Sequence, residues 1–180
     1  MDKSPSVWNE DELVRVLEAR ASSGVIGIDG LEGAGKSHIA LRLKARLNWP
    51  VVHCDDFIQS GAKQYPENLD IPALRSLVLA PRDTPKLLNS ILLGTVLDAL
   101  GLSTAPFVYV RRHNLDRSYS APEYYENFEP ERMLSIAKKT YLLAGAQESE
   151  PMLECELIRY HQRYDPVSRA LVVFENVASS

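Results

Sequence analysis

Apolar residues recur along this chain in two alternating rhythms, one helical and one short and continuous. Residues 11–21 put Leu13, Val16 and Leu17 on one face, which predicts an amphipathic helix capped by Asn9 or Asp11. Residues 22–24 (Ser-Ser-Gly) break it. Val25–Ile28 is a β-branched run and reads as a buried strand, and Val51–Cys54 reads as a second. Between them, Lys36–Leu47 carries Ile39, Leu41, Leu43 and Leu47 as the apolar positions of a helix. Ile71–Leu79 predicts a short helix with Pro72 in a tolerated first-turn position. Ser90–Leu93 reads as a third strand, followed by a helix at Thr95–Leu100. Pro106–Val110 and Leu171–Phe174 read as the fourth and fifth strands, and Glu129–Leu143 and Met152–Tyr164 as helices. Three polar stretches remain: Gln59–Asp70, read as a mobile surface segment; Pro81–Pro85, a turn; and Arg111–Tyr119, a basic segment. Short apolar strands alternating with helices predict an α/β chain, a three-layer α/β/α domain around a parallel sheet.

Composition narrows this picture. The 180 residues are 45% hydrophobic and 24% charged, which suits one soluble domain over 1–180 with an N-terminal helical extension at 1–22. A formal charge of −4, with Lys and Arg dispersed, gives no attraction to nucleic acid or to an anionic membrane surface. The two cysteines, Cys54 and Cys155, lack metal or redox spacing and are read as reduced, which points to a cytoplasmic protein. The first ten residues lack the apolar core of a signal peptide, and no stretch approaches the roughly 20 apolar residues of a membrane span. The pattern fixes no oligomeric state.

The strongest chemistry is Gly30-Leu31-Glu32-Gly33-Ala34-Gly35-Lys36-Ser37, a match to G-x-x-x-x-G-K-[ST] between a predicted strand and a predicted helix. Its glycines permit positive φ and turn consecutive N–H groups toward a phosphate. The helix that follows points its positive end at the same anion. Lys36 then reaches the β- and γ-phosphates and the Ser37 hydroxyl ligates Mg²⁺. His38, next on the helix, joins the nucleotide-binding set. The expected ligands are therefore ATP and Mg²⁺, although no motif here separates ATP from GTP.

Asp55-Asp56 follows the second strand, and in an open parallel sheet ligands bind beyond the carboxyl ends of the strands. A carboxylate there accepts the proton of an attacking hydroxyl or helps hold Mg²⁺, so Asp55 is a candidate base and Asp55 and Asp56 are candidate metal ligands beside Ser37. Arg111, Arg112 and Arg117 lie where a lid would neutralise the migrating phosphoryl charge; Arg112 and Arg117 are carried forward as catalytic candidates with Lys36. Lys63 and Arg82 are weaker candidates on the acceptor side. Tyr119, Tyr124, Tyr125 and Phe128 read as packing under a surface loop, with base stacking as the second reading. The four histidines have no metal spacing; among them His53 is a candidate contact for the acceptor and His161 lies on a predicted helix.

Val52-His53-Cys54-Asp55-Asp56-Phe57 resembles the Asp-Asp-Phe or Asp-Ser-Phe element of the uridine kinase-like P-loop small-molecule kinases, a group that includes nicotinamide riboside kinase, pantothenate kinase and phosphoribulokinase. Asn68–Arg75, Val108–Arg112, Tyr160–Pro166 and Ala170–Asn176 are similar to further parts of that family, so the resemblance spans 24–177. It implies a five-stranded sheet in the order 2-3-1-4-5, and Asp55 as the hydroxyl-activating base. It also implies an acidic residue on the third strand; Ile91-Leu92-Leu93-Gly94 puts Leu93 at that place. Asp29–Ser37 is also close to the phosphate loop of thymidylate kinases, but Asp116-Arg117 follows the fourth strand, not the third.

The expected reaction is transfer of the ATP γ-phosphoryl group to a hydroxyl of a small acceptor, nucleoside-like by preference. Leu93 keeps a second reading open, a nucleotide-binding protein with weak or no kinase activity. A nucleotide hydrolase that needs no acceptor is the third.

Overall fold

The structure, a computed structural model, describes residues 4–20, 24–59, 65–116, 118–126, 128–143 and 153–177. Its strands are β1 (Ser6–Val7), β2 (Val25–Asp29), β3 (Val51–His53), β4 (Lys86–Asn89), β5 (Phe107–His113) and β6 (Val172–Val177). Its helices are α1 (Glu10–Arg20), α2 (Lys36–Leu47), α3 (Ile71–Leu79), α4 (Leu93–Leu100), α5 (Pro122–Tyr125), α6 (Pro130–Leu143), α7 (Leu153–Tyr164) and α8 (Pro166–Arg169). Asn9 caps α1 through its side-chain oxygen, which accepts from the Glu12 N–H at 2.9 Å. Asp70 caps α3 in the same way through the Ala73 N–H at 3.0 Å.

All strand pairs are parallel, in the order β3-β4-β2-β5-β6-β1. The expected five strands become six, while β2–β6, counted without β1, keep the expected order 2-3-1-4-5. Strand β1 adds itself beside β6, with Ser6 against Val173 and Val7 against Phe174, and so shifts every strand number by one. Two residues are too few to show a period, which is why the sequence pattern does not reveal it. Ser6–Val7 thus supply a strand to the main sheet, and Leu13 and Leu17 of α1 are fully buried in the core.

Alternation along the strands builds two cores. Ile26, Ile28, Val108, Val110, Val172 and Phe174 face α1 and α2, where Leu13, Leu17, Ile39 and Leu43 meet them. On the other face, Val52 and Leu88 pack with Leu74 and Val78 of α3 and with Leu93, Val96 and Leu97 of α4. Gly27 makes that second packing close. A Cβ there would lie 2.3 Å from Leu93 Cδ2 and 2.9 Å from Phe107 Cβ, so only glycine admits α4 so near the central strand. Leu41, expected on the buried face of α2, is instead half exposed. The parallel order leaves the carboxyl ends of β2, β3 and β4 side by side, and the candidate chemistry collects there.

Candidate phosphoryl-transfer site

Residues 30–35 leave β2 and return into α2 as a tight loop. Gly30, Gly33 and Gly35 hold φ of 144°, 72° and 92°, values costly for any residue with a Cβ. Gly30 also lies against strand β5, where a Cβ would come 2.4 Å from the Val110 carbonyl oxygen. Gly35 begins α2 with no side-chain cap, and the first turn carries no acidic residue. The opening N–H groups of this 12-residue helix are therefore available to an anion, as the motif predicts. Two side chains from distant strands brace the loop: Asn176 Nδ2 donates to the Ala34 carbonyl at 2.8 Å, and Arg112 Nη1 to the Gly33 carbonyl at 2.6 Å. Lys36 Nζ donates to the Leu31 carbonyl at 2.8 Å. Burial pulls the Lys36 pKa down, while Asp29, Asp55 and Glu32 oppose that pull.

Behind the loop lies a buried carboxylate. Asp29 accepts from the Gly30 N–H at 2.8 Å and from the Tyr160 hydroxyl. The same hydroxyl accepts from the Gly94 N–H at 3.0 Å. One phenol thus ties the start of the phosphate loop to α4 and α7. Burial raises the Asp29 pKa to about 6, against the hydrogen bonds from Tyr160 and Gly30 and the charge of Lys36.

The loop forms one wall of a cleft of about 530 Å³, within the size range of small-ligand sites. Lys36 and Ser37 line it, and so does Asp55, which projects from a 3-10 turn (Cys54–Phe57) directly after β3. Lys36, Ser37 and Asp55 therefore meet in one cavity although they come from two separate segments. Asp56 is exposed on the same turn and does not line the cleft; His38 is exposed on the first turn of α2 and does not line it either. Arg112 reaches the loop through Gly33. Arg117 and Lys63 lie outside the described residues.

Two arginine expectations change. Arg111 and Arg112 belong to strand β5, not to a segment after it. Arg111 is bonded to both carboxylate oxygens of Glu175 through Nε and Nη2, with Nε 2.9 Å from Oε2, and packs over the rings of Tyr119 and Tyr125. Burial works against ionisation of Glu175, but hydrogen bonds from Arg111 and His113 outweigh it and hold the carboxyl below its usual range. Arg111 is thus committed to the sheet. Tyr124 packs on Phe128 and His161, Tyr119 on His113 and Tyr125, and Tyr125 on Tyr109, which is the packing reading of that cluster. His161 is buried, with Nε2 2.8 Å from the Tyr109 hydroxyl and its pKa lowered by burial.

The third strand is also corrected. It runs Lys86–Asn89, so Leu93 is not at its carboxyl end but opens α4, fully buried in the core. The place expected for Leu93 belongs to Asn89. Its Nδ2 donates to Ser37 Oγ at 3.1 Å and lies 2.9 Å from His53 Nδ1. Its Oδ1 is buried with no hydrogen-bond partner among the described residues. An amide at this position holds the Ser37 hydroxyl and leaves an oxygen for a water or a cation. Leu92, in a left-handed turn with φ of 52°, swings the chain from β4 into α4 so that Ser90 and Ile91 line the cleft. The shift of register moves the question from Leu93 to Asn89: the strand ends in a polar amide, not in the carboxylate that the resemblance implies.

The residues fit a nucleoside triphosphate and Mg²⁺. The glycine turns leave no room for Cβ atoms beside β5 and Asn176, and the open helix end receives phosphate. Ser37, the orphaned Asn89 oxygen and Asp55 supply hard oxygen donors for a cation that keeps several waters. Among the described residues, no group of three His, Cys, Asp or Glu side chains forms an all-protein metal cage. None of the described helices is long and apolar enough to cross a membrane.

No protein-family model and no curated protein matches the sequence. Solved structures do. One described as a possible uridine kinase from Bacillus stearothermophilus is 19% identical, covers 91% of this chain and 96% of its own, and superposes with a TM-score of 0.56. A gluconokinase from Sinorhizobium meliloti 1021 is 16% identical over 89% of this chain and 86% of its own, with a TM-score of 0.47. At such identities a likeness speaks to fold, and the first of these is close enough to carry it. The chain has the fold of a uridine kinase-like P-loop protein.

Proposed function

We propose that this protein is a P-loop kinase that transfers the γ-phosphoryl group of ATP to a hydroxyl of a small, nucleoside-like acceptor. The observation that carries the reading is the convergence of Asp55 with Lys36 and Ser37 on one cleft. A phosphate-binding loop alone serves binding or hydrolysis equally well. A carboxylate beside it in the same cleft, at the end of β3 two strands away, supplies what acceptor chemistry requires. The fold shared with a possible uridine kinase supports the same class of acceptor.

Each residue then has a task. The loop N–H groups and the end of α2 hold the phosphates, and Lys36 offsets charge that builds on the migrating group. Asp55 takes the proton of the acceptor hydroxyl as its oxygen bonds to the γ-phosphorus; the bond to the β–γ bridging oxygen breaks and ADP leaves. Ser37 and Asn89 are the groups that would hold Mg²⁺ and its waters. When bound, Mg²⁺ neutralises charge on the β- and γ-oxygens. Arg112 steadies the loop through Gly33, and Arg117 is retained as the candidate transition-state clamp.

The test is coupled detection of ADP over a panel of nucleosides and related sugar-bearing compounds. ADP release that depends on an acceptor and yields its phosphorylated form is the expected result. Release at one rate with and without acceptor assigns the site to hydrolysis instead.

A further inference from the structure

The cleft contains a polar imbalance away from its phosphate end. Three side-chain oxygens are buried with no hydrogen-bond partner among the described residues: Asn68 Oδ1, Asn89 Oδ1 and Glu156 Oε1. All three residues line this one cavity. Buried polar atoms are nearly always partnered, so three orphans of the same kind in one cavity mark a place shaped for donors. Asn89, 4% exposed, belongs to the phosphate end through its bond to Ser37. Asn68 lies just before α3 and Glu156 on α7, and neither belongs to the phosphate loop itself. They line the cleft beyond its phosphate end.

Charge narrows the ligand. Among the described lining residues Glu32, Asp55 and Glu156 are acidic, and Lys36 is the cation, already assigned to phosphate. Among the described lining residues, an anionic acceptor would meet three carboxylates beside a triphosphate, with Lys36 as the one cation. The Glu156 carboxyl is raised in pKa first by burial and also by Glu67, while it accepts from the Tyr65 backbone N–H. A hydroxyl donor relieves that desolvation.

We propose that Asn68 and Glu156 form the acceptor subsite, and that the acceptor is an uncharged, polyhydroxylated small molecule whose hydroxyls donate to Asn68 Oδ1 and Glu156 Oε1. This rests on the phosphoryl-transfer reading of the cleft and specifies its substrate class.

Calorimetric titration tests it, with the protein saturated by a non-hydrolysable ATP analogue and Mg²⁺. The neutral probes are uridine, cytidine, D-ribose and ribitol; the anionic counterparts are uridine 5′-monophosphate, D-ribose 5-phosphate and D-gluconate. A neutral probe is expected to bind, with its anionic counterpart at least tenfold weaker. Glu156→Gln, Glu156→Ala and Asn68→Ala are each expected to weaken the neutral probe about tenfold or more while affinity for the ATP analogue stays at the parent value. The proposal is overturned if no neutral probe binds, if an anionic counterpart binds as tightly, or if all three variants keep the parent affinity. The two readings fail separately. Glu156-dependent binding without phosphorylated product leaves the subsite standing and removes the kinase. Phosphorylation of an anionic acceptor, indifferent to these variants, does the reverse.

Discussion

Tyr160→Phe removes one oxygen from the structure and disturbs two partners. The hydroxyl donates to Asp29 and accepts from the Gly94 N–H. Asp29 is 1% exposed, so no water replaces the lost donor. A hydrogen bond to a charged group contributes about 1.5–3 kcal/mol, and an unpaired buried N–H costs about 1 kcal/mol or more, so the variant should lose about 3 kcal/mol at pH 8. That is a large share of the roughly 5–15 kcal/mol that holds a domain folded. The loss depends on pH. The Asp29 pKa is raised from 3.8 to about 6, so its favourable contribution is present below 3.8 and is lost as pH rises through about 6. Tyr160 is the largest influence keeping that pKa from going higher. Without it the carboxyl rises further, and the penalty of ionising it at pH 8 grows. At pH 5 Asp29 is largely protonated in both proteins, so the lost bond to it is a neutral one, and with the unpaired Gly94 N–H the deficit falls to about 2 kcal/mol. Urea unfolding of both proteins at pH 5 and pH 8 measures this directly, provided the m-value is unchanged. Equal deficits at the two pH values, or a deficit under about 0.5 kcal/mol at pH 8, would refute the description of Asp29 as a buried carboxylate held by Tyr160.

Other outcomes follow from the same geometry. Gly35→Ala puts a Cβ 2.5 Å from Asn176 Nδ2 at a φ of 92°, so calorimetry should show ATP-analogue affinity falling more than tenfold, and unfolding a loss of about 1–3 kcal/mol. Glu175→Gln leaves Arg111 and His113 without their shared carboxylate in a buried site, and urea unfolding at pH 7 should register a loss of about 3 kcal/mol. Asn89→Ala frees the Ser37 hydroxyl and should raise the Mg²⁺ concentration for half-maximal rate about tenfold or more, with metal-free binding of the ATP analogue unaltered.

The phosphate loop was readable because its demands are local: glycines for positive φ, a lysine, and a hydroxyl at the head of a helix. Asp55 was readable because the end of a parallel strand is a privileged position, and β3 is a clean apolar run. The third strand was misplaced for a physical reason. Lys86 is buried, with its Nζ 2.7 Å and 3.0 Å from the Leu77 and Val78 carbonyls at the end of α3. That role looks like a surface lysine in sequence, so the strand start was hidden. The apolar run Ile91–Leu93 then drew the strand forward, although its leucines serve the cleft turn and the core under α4. Asn89 was missed with the strand. Arg111 resembled a lid residue because its partner, Glu175, is 64 positions away, and no pattern along the chain pairs them. Asp29 and Tyr160 escaped for the same reason, being 131 positions apart.

The central claim is that Asp55 makes the phosphate loop a phosphotransferase site. Asp55→Asn alters one oxygen to nitrogen on an exposed turn and leaves the loop untouched. The most direct measurement compares single-turnover phosphoryl transfer to the preferred acceptor with ATP-analogue affinity, in the parent and in this variant. The account predicts a rate lower by about 10²–10⁴ with nucleotide affinity within twofold of the parent. Transfer at the parental rate would contradict it.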